Sequence, residues 1–213
     1  MIAITVSTNF SDLVPIIINA NECFFKHWYW VTDPNDRATI DLIPKNDKHT
    51  ILYWDFRNLG VAFDKGGALR LAQATAFKEY PDEWYLGIDS DIALYPDFFV
   101  DTSKLDPTKL YGAAYRHHFY TKNNFDNGLV DDYETNTWPW GFFQLYKVKN
   151  YYTNSYDCSL CDDRFITCWG NTHEIIEQNV VLLENVICRH MGKKNQHWQG
   201  RRIGPDGVPV DRF

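Results

Sequence analysis

Two carboxylates one residue apart, Asp89 and Asp91, close the apolar run Trp84-Tyr-Leu-Gly-Ile. Carboxylates alternating at a strand end point to the same side, and their hard oxygen atoms suit Mg²⁺ or Mn²⁺ bridging to a diphosphate. The carboxyl end of a strand is also where open α/β sheets bind their ligands. The triplet alone is weak, because 21 Asp in 213 residues give about two such spacings by chance. Its context, an apolar strand ending on the pair, supplies the specificity. The competing reading is a strand-ending turn with solvated Asp side chains.

The other chemistry-bearing residues are scattered. Cys158-x-x-Cys161, Cys168 and His173 offer zinc-ligand types, but C-x₂-C lacks a second correctly spaced pair and is a weak signal. G-x-x-x-x-G-K-[ST], G-x-G-x-x-G and G-x-S-x-G are all missing, so P-loop, dinucleotide and serine-hydrolase readings lack their signatures.

These residues need elements to hold them. Ile2 to Ser7 reads as a strand, and Ser11-Asp12 offers N-cap chemistry for a helix to about Lys26. Trp28 to Thr32, Ile51 to Phe56, Trp84 to Ile88, Leu110 to Tyr115, Gly141 to Lys147 and Val186 to His190 read as strands. Gly66 to Tyr80 has apolar residues near helical spacing and ends before Pro81, and Cys158 to Trp169 reads as a further helix. Alternating β and α elements predict an α/β fold, one domain over residues 1–213 with a loop-rich basic tail over 191–213.

Strand-ending Asp89-Ser90-Asp91, preceded by Lys65-Gly66-Gly67-Ala68 and followed by Leu94-Tyr-Pro-Asp-Phe-Phe99, resembles the core of nucleotide-sugar glycosyltransferases of the GT-A fold. The resemblance runs from the first strand to His190 and implies a single Rossmann-like domain with a mixed central sheet flanked by helices. It implies a divalent cation, Mn²⁺ or Mg²⁺, on Asp89, Asp91 and the late His190. A nucleotide diphosphate sugar, with a UDP-sugar expected, would lie against Thr8, Asn9, Asp33, Lys65, Asp89, Ser90, Lys193 and Lys194. Trp138, Trp140 and Gly141 would border donor sugar and acceptor, aromatic packing being the plain alternative for the two Trp. Asp163, with Asp162 beside it, would be the base that deprotonates an acceptor hydroxyl in an inverting enzyme; helix capping is the competing role. For His190 the competing role is a buried, hydrogen-bonded histidine.

The expected function is therefore metal-dependent transfer of a sugar to an acceptor hydroxyl. A sugar-phosphate nucleotidyltransferase and a noncatalytic carbohydrate-binding protein are the alternatives. The former usually carries a Gly-rich phosphate loop after strand one, where this chain has Ser7-Thr8-Asn9-Phe10. The acceptor is open: a glycan, a protein, a lipid-linked precursor or a hydroxylated DNA base. Net charge of −7 argues against nonspecific nucleic-acid coating and disfavours DNA, although residues 188–213 carry a local +4. No apolar stretch approaches the ~18 residues of a membrane span, and no signal peptide is indicated. Five cysteines without an export signal favour reduced thiols. The expected location is the cytoplasm, a host cytoplasm if the chain is virus-encoded.

Overall fold

The computed structural model describes residues 1–57, 63–137, 141–147, 180–193, 201 and 213. Within them, β1 (Ile2–Val6), β2 (His27–Thr32), β3 (His49–Tyr53) and β4 (Tyr85–Ile88) form a parallel block ordered β3-β2-β1-β4. Helix α1 (Val14–Asn21) links β1 to β2, the short α2 (Arg37–Ile40) links β2 to β3, and α3 (Lys65–Glu79) links β3 to β4.

These strands are apolar at nearly every position because both sheet faces are covered. On one face Ala3, Trp28 and Trp30 pack with Val14 and Ile17 of α1. On the other, Ile2, Ile4, Tyr29 and Val31 meet Ala68, Ala72 and Phe77 of α3. Both buried indoles find partners: Trp28 Nε1 donates to Thr5 Oγ1 at 2.9 Å and Trp30 Nε1 to His49 Nδ1 at 3.0 Å.

Beyond β4 the sheet reverses. It continues through β8 (Phe143–Tyr146), β6 (Leu110–Phe119), β9 (Val180–Met191) and β5 (Ile92–Leu94), with β7 (Asp132–Thr135) paired on β6 beside the short α4 (Lys122–Asp126). β8 runs antiparallel to both β4 and β6, β9 runs parallel to β6, and β5 runs antiparallel to β9. The expected mixed central sheet with flanking helices is thus present.

Several boundaries differ from those expected. The first helix begins at Val14, with Leu13 at its cap position and no side-chain cap. Asp12 forms an ion pair with the buried Arg201 instead. The strand expected over Ile51 to Phe56 lies at His49–Tyr53; β6 outruns its expected segment because Arg116 to Phe119 pair with Cys188 to Met191, and β9 begins earlier than expected because Val180 to Leu183 pair with Leu110 to Ala113. The expected helix over 158–169 lies outside the described residues.

Helix α3 has one irreplaceable glycine. Asp64 caps it by accepting from Gly67 N at 2.8 Å, and Trp54 Nε1 donates to the same carboxylate at 3.2 Å. A Cβ on Gly67 would stand 2.3 Å from Asp64 Oδ2 and 2.5 Å from the Trp54 ring. Gly67→Ala should therefore destabilise the fold by about 1–3 kcal/mol in chemical denaturation, the usual range for overpacking.

Candidate active site

In the order β3-β2-β1-β4, the connections leave β1 toward β2 on one side while β4 lies on the other. The carboxyl ends of β1 and β4 therefore flank a topological switch point, the crevice where such sheets take their ligands. Here the two ends are stapled together: Ser90 Oγ donates to the Val6 carbonyl at 2.6 Å.

The segment Asp89-Ser90-Asp91-Ile92 forms a turn, Ile92 N donating to Asp89 O at 3.2 Å, and sends its carboxylates to different partners. Asp89 Oδ1 lies 2.7 Å from Lys65 Nζ at the start of α3. The ammonium at that end of a helix opposes the macrodipole, and Asp89 offsets both positive charges. Asp91 turns the other way, its Oδ2 lying 3.4 Å from His190 Nε2. The two groups meet because β5 and β9 pair with Ile92 opposite His190, and Met191 N donates to the Asp91 carbonyl at 2.8 Å.

Behind His190 lies a polar cluster that sequence reasoning missed. His118 of β6 stands opposite His190 in the parallel ladder, and their Nδ1 atoms are 3.0 Å apart. His118 Nε2 lies 3.5 Å from Glu134 Oε2, and Glu134 pairs with Arg116, its neighbour across the β6/β7 ladder. Burial, then the adjacent His190 and Arg116, push the His118 pKa down to about 4 against the opposing pull of Glu134, so the ring is neutral near pH 7. The signal was the run Arg116-His117-His118, polar residues continuing a strand that the apolar pattern closes at Tyr115.

At the exit of β1, Thr8 is buried and Asn9 adopts φ +65°, a left-handed conformation that Asn tolerates well. Asn9 N donates to Asp36 Oδ2 at 2.5 Å, and Asn9 Nδ2 donates to the Arg201 carbonyl at 2.7 Å. Asp36, which also caps α2 by accepting from Thr39 N at 3.1 Å, joins the β1 and β2 exits. Asp33, the residue expected there, accepts from Asn35 N at 2.8 Å in a local turn.

The structure thus brings Asp89 to Lys65 and Asp91 to His190, beside Ser90, with Thr8 and Asn9 leaving the neighbouring strand. Gly141 is half-buried in the turn before β8, and Lys193 is exposed just after β9. Trp138, Trp140, Asp162, Asp163 and Lys194 lie outside the described residues, as do Cys158, Cys161, Cys168 and His173. Among the described residues, no three His, Cys, Asp or Glu side chains converge as a metal-ligand set, and no helix is long and apolar enough to cross a membrane. Cys23 and Cys188 are free thiols.

No family model and no curated protein matches the chain. Among solved structures it is similar to the galactosyltransferase LgtC in complex with donor and acceptor sugar analogs, at 11% identity over 86% of this chain and 73% of that one, TM-score 0.42. An active-site mutant of LgtC is similar at 10% identity over the same shares, TM-score 0.43. A glycosyltransferase involved in glycosylation of the major capsid of PBCV-1 is similar at 11% identity over 93% of this chain and 97% of that one, TM-score 0.31.

Arg201 anchors the tail where the β1 exit meets α1. Its side chain is fully buried, pairs with Asp12 and stacks over the Phe10 ring at 5.1 Å, and Phe213 N donates to Asp12 Oδ2 at 2.9 Å. Asp12→Ala, which removes a buried ionic partner of Arg201, should cost about 3–5 kcal/mol in denaturant unfolding. Lys26→Ala, which breaks the solvated Lys26–Glu83 pair, should cost less than about 1 kcal/mol.

Proposed function

We propose that this protein is a glycosyltransferase that uses a divalent cation and a nucleotide diphosphate sugar. The observation that carries the reading is the apposition of Asp91 and His190 at 3.4 Å beside the β1/β4 switch point. A carboxylate oxygen and an imidazole nitrogen are ligand types that would suit Mn²⁺, and the carboxylate would suit Mg²⁺. Asp91 and His190 would hold the ion. Asp89, paired with Lys65, stands next to it rather than on it in the present arrangement.

When bound, the cation supplies Lewis-acid stabilisation to the departing diphosphate. Lys65, at the start of α3, adds positive charge where the phosphates would lie, and Asp89 can pass that ammonium from its own carboxylate to a phosphate oxygen. Thr8 and Asn9 line the nucleoside side of the crevice. In the reaction the acceptor oxygen bonds to the anomeric carbon as the bond from that carbon to the diphosphate oxygen breaks. Asp163 takes the acceptor proton, with Asp162 beside it, while Trp138, Trp140 and Gly141 border the sugars and Lys193 and Lys194 face the diphosphate. A UDP-sugar is the proposed donor and a cytoplasmic hydroxyl acceptor the proposed partner.

Incubation with Mn²⁺ and a panel of nucleotide sugars should release nucleoside diphosphate from one of them, and Asp91→Ala should abolish release while keeping the wild-type unfolding midpoint. Full activity in Asp91→Ala or in excess chelator would remove the metal mechanism. Consumption of pyrophosphate in place of diphosphate release would indicate a nucleotidyltransferase.

Asp163→Asn should lower turnover by ~10²–10⁴-fold with donor affinity nearly unchanged, because a base acts on the acceptor in the transition state. Isothermal titration with the donor, set against initial rates, separates this from a donor-binding role, in which both would fall together.

A further inference from the structure

The environment of His190 dictates which of its nitrogens carries the proton. Its Nδ1 lies 3.1 Å from the Gly192 carbonyl oxygen and 3.0 Å from His118 Nδ1. A carbonyl only accepts, so the contact with Gly192 requires a hydrogen on His190 Nδ1. That N–H is then shared with His118 Nδ1, which accepts, and the proton of neutral His118 sits on Nε2, facing the Glu134 carboxylate 3.5 Å away. The opposite assignment would gain one contact, His190 Nε2–H toward the Asp91 carboxylate at 3.4 Å, but would set the lone pair of His190 Nδ1 against the Gly192 carbonyl and that of His118 Nε2 toward the Glu134 carboxylate, two repulsive contacts in place of one.

The backbone makes this arrangement durable. Gly192 has φ +141°, and its N–H donates to the Phe119 carbonyl at 2.8 Å, so its own carbonyl is held toward the His190 ring. Glu134 is fixed by Arg116, whose guanidinium also stacks over the Phe142 ring at 4.5 Å. His118 is fully buried and His190 nearly so, and their rings meet edge to face.

With hydrogen on Nδ1, the Nε2 of His190 presents a lone pair to the Asp91 carboxylate at 3.4 Å. An imidazole nitrogen and a carboxylate oxygen, both electron-pair donors, are ligand types that Mn²⁺ accepts. We propose that His118, supported by Glu134, is a positioning residue that holds His190 as its Nδ1–H tautomer and so presents Nε2 for metal coordination. In solution neutral imidazoles favour the other tautomer, so the preference must come from the protein. The inference rests on the metal-dependent reading above only for its last step; the tautomer itself is a property of the metal-free chain.

The test has a metal-free and a metal-loaded arm, both on the full chain. In the first, long-range ¹H–¹⁵N correlation spectra of the histidine rings without metal should show His190 protonated on Nδ1 in the wild type. His118→Phe keeps the ring volume but removes the acceptor, and should shift His190 toward Nε2–H. His118→Asn, whose amide oxygen reaches the place of Nδ1, should restore the wild-type pattern. In the second arm, calorimetric titration with Mn²⁺ should show affinity reduced about 10–100-fold in His118→Phe, the usual cost of losing an outer-shell partner, and recovered in His118→Asn. Glu134→Gln serves as the second variant should His118→Phe fail to fold, and should show the same direction in both arms.

A wild-type His190 protonated on Nε2, or a folded His118→Phe that matches the wild type in both arms, overturns the proposal. If the tautomer shifts as expected but wild type and Asp91→Ala both fail to bind Mn²⁺, the metal reading and the coordinating step fall while the tautomer assignment stands. If Asp91→Ala loses Mn²⁺ and His118→Phe retains full affinity, the metal reading stands and the positioning role falls.

Discussion

The antiparallel pairing of β5 with β9 is the contact on which the site depends. Three residues after Asp89 the chain has turned into a short strand, and nearly a hundred residues later another strand lies against it with His190 opposite Ile92. No local interaction could bring Asp91 and His190 together. The reversal of the sheet beyond β4 does so, because β8 and β6 must first be inserted before β9 has a parallel neighbour to lie on. The N-terminal parallel block builds a crevice, and the C-terminal half delivers the group that completes its chemistry.

The same division appears in how polar groups are handled. In the parallel block, buried polar atoms serve packing: Thr5 and His49 receive the indole hydrogens of Trp28 and Trp30, and His27 pairs with Thr50 on the neighbouring strand at 2.9 Å. In the second half, β6 and β9 become polar along their C-terminal portions, and the polar residues pair with one another: Arg116, His118, Glu134 and His190. Such a network is stable only when each member has a partner, since an isolated buried charge or lone pair is costly. Its interior location makes it well suited to fix the orientation of one imidazole.

Much of this was legible in the sequence. The apolar strands of the parallel block, the helix over Lys65–Glu79 and the turn of Asp89 and Asp91 follow from local pattern, and the strand reaching His190 was visible from its β-branched residues. Two things were hidden. Polar strand segments such as Arg116 to Phe119 and Asp132 to Thr135 give no hydrophobic alternation, because their stability comes from pairing with each other. Ion pairs that close long sequence distances, such as Asp12 with Arg201, leave no local trace, so Asp12 read as a helix cap and Arg201 as part of a solvated tail. The division of Asp89 and Asp91 between Lys65 and His190 was hidden for the same reason.

The irregularity in the β6/β9 ladder bears on how this chain can vary in length. Leu110 lies opposite Val180, yet His118 lies opposite His190, so β9 has gained two residues on its partner between Ala113 and Tyr115. Because strand side chains alternate with a period of two, that gain leaves His190 on the face of His118. A one-residue change in the exposed stretch around Glu184 and Asn185 that is carried into the downstream register would place Arg189, for an insertion, or Met191, for a deletion, where His190 now stands. A two-residue slip would keep the face but bring Cys188 or Gly192 to that place, so length changes spare the site only when the irregularity itself absorbs them, as it already absorbs two residues.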